Sequence, residues 1–452
     1  MKLNITRWLM ATVVATAATG VSAQNLQSAY FDDNYLYRFQ SNPAFGNEGT
    51  GFVAMPGLGN LNIGTNGTIG LNQIFYNVNG ETTTLLNPNI SASEALGGMK
   101  DHSRLGVDLR ETILAFGFKA FKGYNTISVS ARTSASIGLP KEIVRMAKEG
   151  LSNDTYDLSN LGGTGRAWAE VALNHSHQIN KQLRVGATLK VLVGVASFDA
   201  RVNTANFHLN QDNYIGEVDA EMHASIKNFA WQTDYNDRTR RNYVNGADLD
   251  GFSPINGMGA AIDLGAVYTL NKDWEFSLAF TDLGFINWKN DVVATTNGLQ
   301  SVETDSFSFN VDNNDSWDKF RDNLSMLYEL EDKGDMGSRT TGIGATMTAG
   351  AQYSLPVYRR LKFGLMNTTR INGDFSWTEF RLSANIEPVK ILSAGVNVGM
   401  GTFGASFGGI VNLKAPGFNL FVATDCMPGK LAKQGVPLNS NLNVNLGINF
   451  PF

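Results

Sequence analysis

Residues 441–452 read Asn-Leu-Asn-Val-Asn-Leu-Gly-Ile-Asn-Phe-Pro-Phe. Leu442, Val444, Leu446, Ile448, Phe450 and Phe452 hold every even position, and Asn, Gly or Pro fills the odd ones. A strand turns successive side chains to opposite faces, so this one has a wholly apolar face and a polar one. A soluble sandwich can use such a strand. A transmembrane barrel requires it, with lipid outside and a wet lumen inside.

The other end of the chain bears on that choice. Residues 1–23 run from Lys2 and Arg7 through an apolar stretch, Trp8–Val14, to the small residues Val21-Ser22-Ala23. This order predicts a secretory signal cleaved before Gln24. The apolar run is too short to cross a bilayer, and beyond it no window approaches the roughly 20 apolar residues of a helical span. No cysteine lies near the cleavage point, which argues against a lipid anchor, and the single Cys426 forms no internal disulfide. With 47 Gly, 27 Phe and 17% charged residues, the composition suits many strands joined by tight turns. A net charge of -5 carries no nucleic-acid footprint. A chain of this length ordinarily divides into two or three soluble domains. No Pro/Ser linker or shift in composition divides it, so one large barrel over residues 50–452 is expected.

A rhythm of strand, short turn, strand and long connection begins near Leu61-Asn62-Ile63. Thr112–Phe121 and Asn125–Thr133 flank Lys122-Gly123-Tyr124, Arg166–Ile179 and Leu183–Phe198 flank Asn180-Lys181-Gln182, and Gly259–Leu270 and Trp274–Trp288 flank Asn271-Lys272-Asp273. The pattern recurs around Pro356–Arg360, Glu387–Lys390 and Lys414-Ala415-Pro416. Short turns on one side and longer loops on the other are the barrel signature, with Phe452 on the periplasmic, short-turn side. The strand count is 16 if Val202–Phe229 adds a membrane hairpin and 14 if it projects outside. Ile262, Leu264, Ala266 and Tyr268 share a lipid-facing side, as do Trp274, Phe276, Leu278 and Phe280. Trp168, Tyr268, Trp274, Trp288, Tyr353 and Trp377 suit interfacial girdles. Two loop helices are expected, at Pro140–Glu149 and Ser316–Asp332.

Residues 24–49 are aromatic but do not alternate. Tyr30, Phe31, Tyr35, Tyr37, Phe39 and Phe45 need shelter from water, and irregular backbone at membrane depth must be shielded by protein. The segment is therefore expected to plug the lumen, with Tyr35, Tyr37, Asn42, Pro43, Ala44 and Phe45 as plug or gate residues.

Candidate chemistry is sparse. Gly399-x-Gly401-x-x-Gly404 matches a dinucleotide fingerprint but lacks the helix that receives a pyrophosphate. Gly404-x-Ser406-x-Gly408 matches a nucleophile elbow but has no later His. His175-x-His177 puts two imidazoles on one strand face without further ligands, so they read as polar lumen residues rather than half a metal site. His223-x-Ser225 sets a base beside a nucleophile and is the only hydrolase hint. Asp312–Asp318 lacks the Gly of a calcium loop. No enzyme, metal or cofactor is expected.

Ser41-Asn42-Pro43-Ala44-Phe45, Asp282–Trp288 (DLGFINW) and Gly417–Asp425 (GFNLFVATD) carry a resemblance over the whole mature chain. It resembles an uncharacterised family of Bacteroidota outer-membrane proteins, akin to the long-chain fatty-acid transporter and type IX secretion shuttle barrels. The terminal Phe452 likewise resembles the signal by which outer-membrane barrels engage their assembly machinery. The resemblance implies about 14 strands, an N-terminal plug and no catalytic residues. The expectation is an integral outer-membrane barrel, contacting outer-membrane lipid, that passes or binds a small hydrophobic molecule. Its alternative is a non-transporting barrel whose long loops dock a surface or secretion partner.

Overall fold

The computed structural model describes residues 26–47, 51–70, 75–85, 87–149, 155–209, 213–237, 240–251, 253, 255–305, 327, 329–427 and 441–452. Fourteen antiparallel strands close into a barrel. The first half contains β1 (Phe52–Ala54, continued by Asn60–Gly67), β2 (His102–Ala120), β3 (Gly123–Pro140), β4 (Gly162–Gln178), β5 (Leu183–Leu209), β6 (Gly257–Thr269) and β7 (Trp274–Lys289). The second contains β8 (Ala345–Ser354), β9 (Leu361–Ile371), β10 (Trp377–Val389), β11 (Leu392–Gly401), β12 (Gly404–Ala415), β13 (Phe418–Thr424) and β14 (Leu442–Pro451). Each strand pairs with the next, and β14 closes the ring on β1 through Phe52↔Pro451 and Leu61↔Leu446. Closure leaves no unpaired edge toward lipid, where an unsatisfied backbone group costs several kcal/mol.

The faces follow the alternation read from sequence. In β14, Val444 and Phe450 are exposed, while Asn443, Asn445 and Asn449 are buried inside. Trp274, Phe276, Leu278 and Phe280 of β7 face outward, with Leu264 and Tyr268 of β6. The β2–β3 turn falls at Phe121-Lys122, one residue earlier than expected, because both adopt positive φ (56° and 58°) as a two-residue hairpin turn demands.

Three of the six proposed girdle residues are corrected. Trp168, Trp288 and Trp377 are buried. Asp282 takes a positive φ (60°), and the β6–β7 register shifts beside it, so Ile286 and Trp288 turn inward. A bulge moves every later side chain to the opposite face. On β4 no residue is skipped: Trp168 belongs to the unbroken inward series Trp168, Glu170, Ala172, Asn174 and Ser176, and the extra residue of the shift beside it, Val195, lies on β5. Tyr268 and Trp274 do face outward, and Trp274 packs on Tyr353 with ring centroids 4.8 Å apart.

Val202–Phe229 adds no wall strand. β5 is 27 residues long, far beyond the 9–11 residues that span a membrane. Leu183–Gly194 pairs with β6, and Ala196–Leu209 continues past the ring to pair with Asn213–Ile226. Asp291–Thr295, Gln300–Asp305 and Glu331–Asp335 extend this projecting sheet. At the same long-loop end, helix α1 (Ala92–Leu96) is capped by Ser91, whose Oγ accepts from the Glu94 N–H at 3.2 Å. Helix α2 (Lys141–Glu149) follows Pro140 as expected, and its Val144 packs with Ile90, Ala95 and Met99. The predicted helix at Ser316–Asp332 lies mostly outside the described residues, and Glu331–Asp335 is strand.

Candidate functional site: the barrel lumen

Residues 26–47 lie within the ring and are held from several sides. The Ser28 backbone N–H and hydroxyl each donate to the Asp425 carboxylate at 2.6 Å. Tyr30 Oη meets Ser277 Oγ of β7 at 2.9 Å, and Tyr37 donates to Asn449 Oδ1 of β14 at 2.6 Å. Ser393 of β11 and Asn412 of β12 donate to Asp32 at 2.9 and 3.3 Å, while Asn174 of β4 donates to the Pro43 carbonyl at 3.1 Å. Among the described residues the segment has no partner strand, so its backbone polar groups turn on themselves or onto inner-wall side chains. The Ala44 N–H, for instance, donates to Asn42 Oδ1 at 3.0 Å, the local turn that Asn before Pro favours.

All six proposed plug residues are buried here. Tyr35 packs edge-on against Phe421 (4.9 Å) and Tyr37 against Phe52 (5.6 Å), on the β13–β14–β1 side. Asn42, Pro43 and Ala44 lie against β4–β7, and Phe45 packs on Tyr30 at 5.2 Å. Sequence reasoning did not identify the glycines that admit them. Gly186 and Gly265 are cross-strand partners. A Cβ at Gly186 would sit 2.2 Å from the Pro43 carbonyl oxygen, and one at Gly265 would sit 2.0 Å from Asn42 Oδ1. Gly364 makes the same allowance for the Phe31 ring, at 2.2 Å. The available signal was glycine at inward-facing positions of otherwise regular strands.

Beside the plug, six consecutive strands contribute one charge each to a buried layer: Arg110, Arg132, Glu170, Lys190, Asp263 and Asp282. Arg110 and Arg132 reach the two Glu170 oxygens at 2.9 and 3.1 Å. Arg132 also grips both oxygens of Asp282, at 2.9 and 3.0 Å, and Lys190 bridges Asp263 and Asp282 at 2.7 Å each. Bidentate and shared contacts of this kind offset much of the cost of taking the ions out of water. The layer braces one side of the barrel across its interior.

Between plug and charges lies a cavity of about 520 Å³, counting space open to solvent. Its lining includes Tyr30, Met366 and Trp377 together with Asp108, Arg132, Asp282 and Arg370. Thr368 Oγ1, which borders it, is buried and has no hydrogen-bond partner among the described residues. The site offers both aromatic contact and charged hydrogen-bonding groups.

The other candidate residues are elsewhere. Ser225 is buried on the projecting sheet and donates to Asp291 Oδ1 at 2.7 Å, while His223 Nδ1 meets Asp291 Oδ2 at 2.9 Å. Both groups engage the same carboxylate, so His223 is not positioned as the base for Ser225. His175 and His177 do not face the lumen as expected. They share the outward parity of the exposed Val171 and Leu173, with stacked rings 5.9 Å apart, because β4 alternates without interruption and its even-numbered residues, Trp168 to Ser176, take the lumen side.

Among solved structures, the chain is similar to the Pseudomonas putida toluene transporter TodX (TM-score 0.41, 8% identity, 92% of this chain and 93% of that one). It is likewise similar to the Ralstonia pickettii toluene transporter TbuX (0.41, 9%, 96% and 97%) and to a Pseudomonas aeruginosa FadL homologue (0.40, 10%, 96% and 99%). No curated protein matches it. Residues 43–425, from the plug turn to the end of β13, match the model of a family of unknown function, DUF5723, and the chain belongs to that family.

Proposed function

We propose that the protein is an outer-membrane barrel that binds or passes a small, mainly hydrophobic molecule, with residues 24–49 as its closure. The observation that carries this reading is where the lumen's apolar surface comes from. The inner wall is rich in Asn, Ser, Thr and paired charges, whereas the plug supplies Tyr30, Phe31, Tyr35, Tyr37, Phe39 and Phe45. A hydrophobic solute entering from the long-loop end finds its apolar contacts on Tyr30, Met366 and Trp377, beside the charged wall. Passage then requires the plug to shift, since the same rings fill the space beneath. Deleting residues 28–45 tests this. Permeability to small apolar solutes, or their gated uptake, should change while the barrel stays in the outer membrane and keeps heat-modifiable gel mobility. Unchanged permeability in a correctly assembled deletion variant refutes the closure role.

A second reading, a docking barrel without transport, is favoured by the projecting sheet on β5 and by the charge layer bracing the lumen. Removing Asn297–Leu299, the exposed bulge between the two segments that pair with Asn213–Ile226, should then abolish partner capture and leave solute uptake untouched.

A further inference from the structure

The chain carries a net charge of -5, yet its short-turn rim is cationic. Lys119 and Lys122 flank the first turn, Lys181 the second and Lys272 the third, with Arg360 and Lys390 on the next two. All six are exposed. Acids at this level are fewer and partly committed: Asp273 pairs with Arg359 at 2.8 Å, and Asp33 pairs with Arg38 and Lys362. Among the described residues, none of the five lysines has an ion-pair partner.

Apolar side chains share this level. Phe121 is 82% exposed, Val357 89% and Phe452 69%. The positive φ of Phe121 and Lys122 presents a ring and an ammonium side by side at the tip of one hairpin. Aromatic anchors beside cations are what a bilayer interface accommodates, the rings at headgroup depth and the ammonium groups on phosphates.

We infer that the short-turn rim is a collar for anionic phospholipid headgroups in the membrane leaflet it meets. The cations are spread over successive turns instead of being gathered into one patch. That distribution matches a ring of lipids around the barrel better than a single protein footprint. The inference rests on the outer-membrane reading above and on the short turns lying within the bilayer interface. A cation at anionic headgroups contributes about fivefold in affinity, so several together give a marked lipid preference.

The test uses the full-length protein reconstituted in phosphatidylethanolamine vesicles with and without phosphatidylglycerol. Retained lipid is counted by native mass spectrometry after mild extraction. Wild type should retain phosphatidylglycerol preferentially. Joint replacement Lys119→Gln, Lys122→Gln, Lys181→Gln and Lys272→Gln should reduce that preference by at least about tenfold, without loss of heat-modifiable mobility. No preference in the folded wild type overturns the inference, and so does a preference the four substitutions leave unchanged. A photo-crosslinker at position 122 that captures a soluble acidic protein in cells, and not lipid, also overturns it, making the rim a protein-docking face. Failure to insert into either vesicle would instead count against the outer-membrane reading.

Discussion

Replacing Gly186 by Ala should release the plug while leaving the wall intact. The new Cβ would lie 2.2 Å from the Pro43 carbonyl oxygen and 2.5 Å from the Ala44 nitrogen. Both are backbone atoms, so no side-chain rotation relieves the clash. To reach an ordinary contact of 3.4 Å the carbonyl must retreat about 1.2 Å. That movement breaks the hydrogen bonds from Asn174 to Pro43 O (3.1 Å) and from Ser176 to Ala44 O (2.7 Å). Overpacking costs about 1–3 kcal/mol, and each lost hydrogen bond about 0.5–1.5 kcal/mol. A total near 2–6 kcal/mol raises the undocked population roughly thirty- to twenty-thousand-fold. Adding Gly265→Ala on the facing strand should not double the effect, because both methyl groups displace the same turn. Protease access to residues 28–45 in reconstituted vesicles measures undocking, and solute efflux measures opening. Gly165→Ala is the control, since a Cβ there meets nothing within 4 Å. A folded Gly186→Ala barrel with unaltered plug protection and efflux would refute the docking contacts.

Asp282→Ala should remove the hub shared by Arg132 and Lys190, leaving Arg132 only Glu170 and Lys190 only Asp263 as carboxylate partners, costing up to about 3–5 kcal/mol and lowering the urea midpoint of the folded band on gels. Deleting Phe452 removes the paired hydrogen bonds with Gly51 (2.9 and 3.1 Å) and the stack on Phe116; export should persist while barrel assembly falls, read as loss of the heat-modifiable form. A cysteine at exposed Leu299 should react with an impermeant maleimide on intact cells, and one at exposed Val357 should not; the reverse result would invert the barrel. Native Cys426, beyond the end of β13, has its thiol pushed above the ordinary value by burial, so its own labelling should be slow at neutral pH and quicken as pH rises.

The wall was legible because its signals are local. Alternation in residues 442–452 and turn chemistry such as Asn271-Lys272-Asp273 need no distant partner. The aromatic, non-alternating stretch around Tyr30–Phe45 was equally plain. What stayed hidden depends on closure. A one-residue shift at Asp282 reverses a face without leaving a mark in composition, and this misdirected Trp288, while on β4 composition did not say which of its two alternating faces, that of Trp168 or that of His175 and His177, turns inward. Val202–Leu209 alternates equally well in lipid or above it, so only the direct pairing of Leu183–Gly194 with Gly257–Tyr268 decides between 14 and 16 strands. Arg132 and Asp282 lie 150 positions apart, and nothing near either residue names the other.

The seam between β14 and β1 has a consequence for the order of assembly. Phe52 pairs with Pro451, Ser28 reaches Asp425 across 397 positions, and Tyr37 reaches Asn449 across 412. Contacts so distant along the chain are entropically late. The wall and its filling are therefore completed in one step, after the C-terminal strand has arrived. Before that step the aromatic segment has no enclosing surface and relies on being kept from aggregating. After it, the segment is enclosed: among the described residues every wall strand is paired with both neighbours, so its way out leads through an end of the cylinder. A lesion in β14 thus deprives the N-terminal segment of its container, and the two ends of the chain stand or fall together.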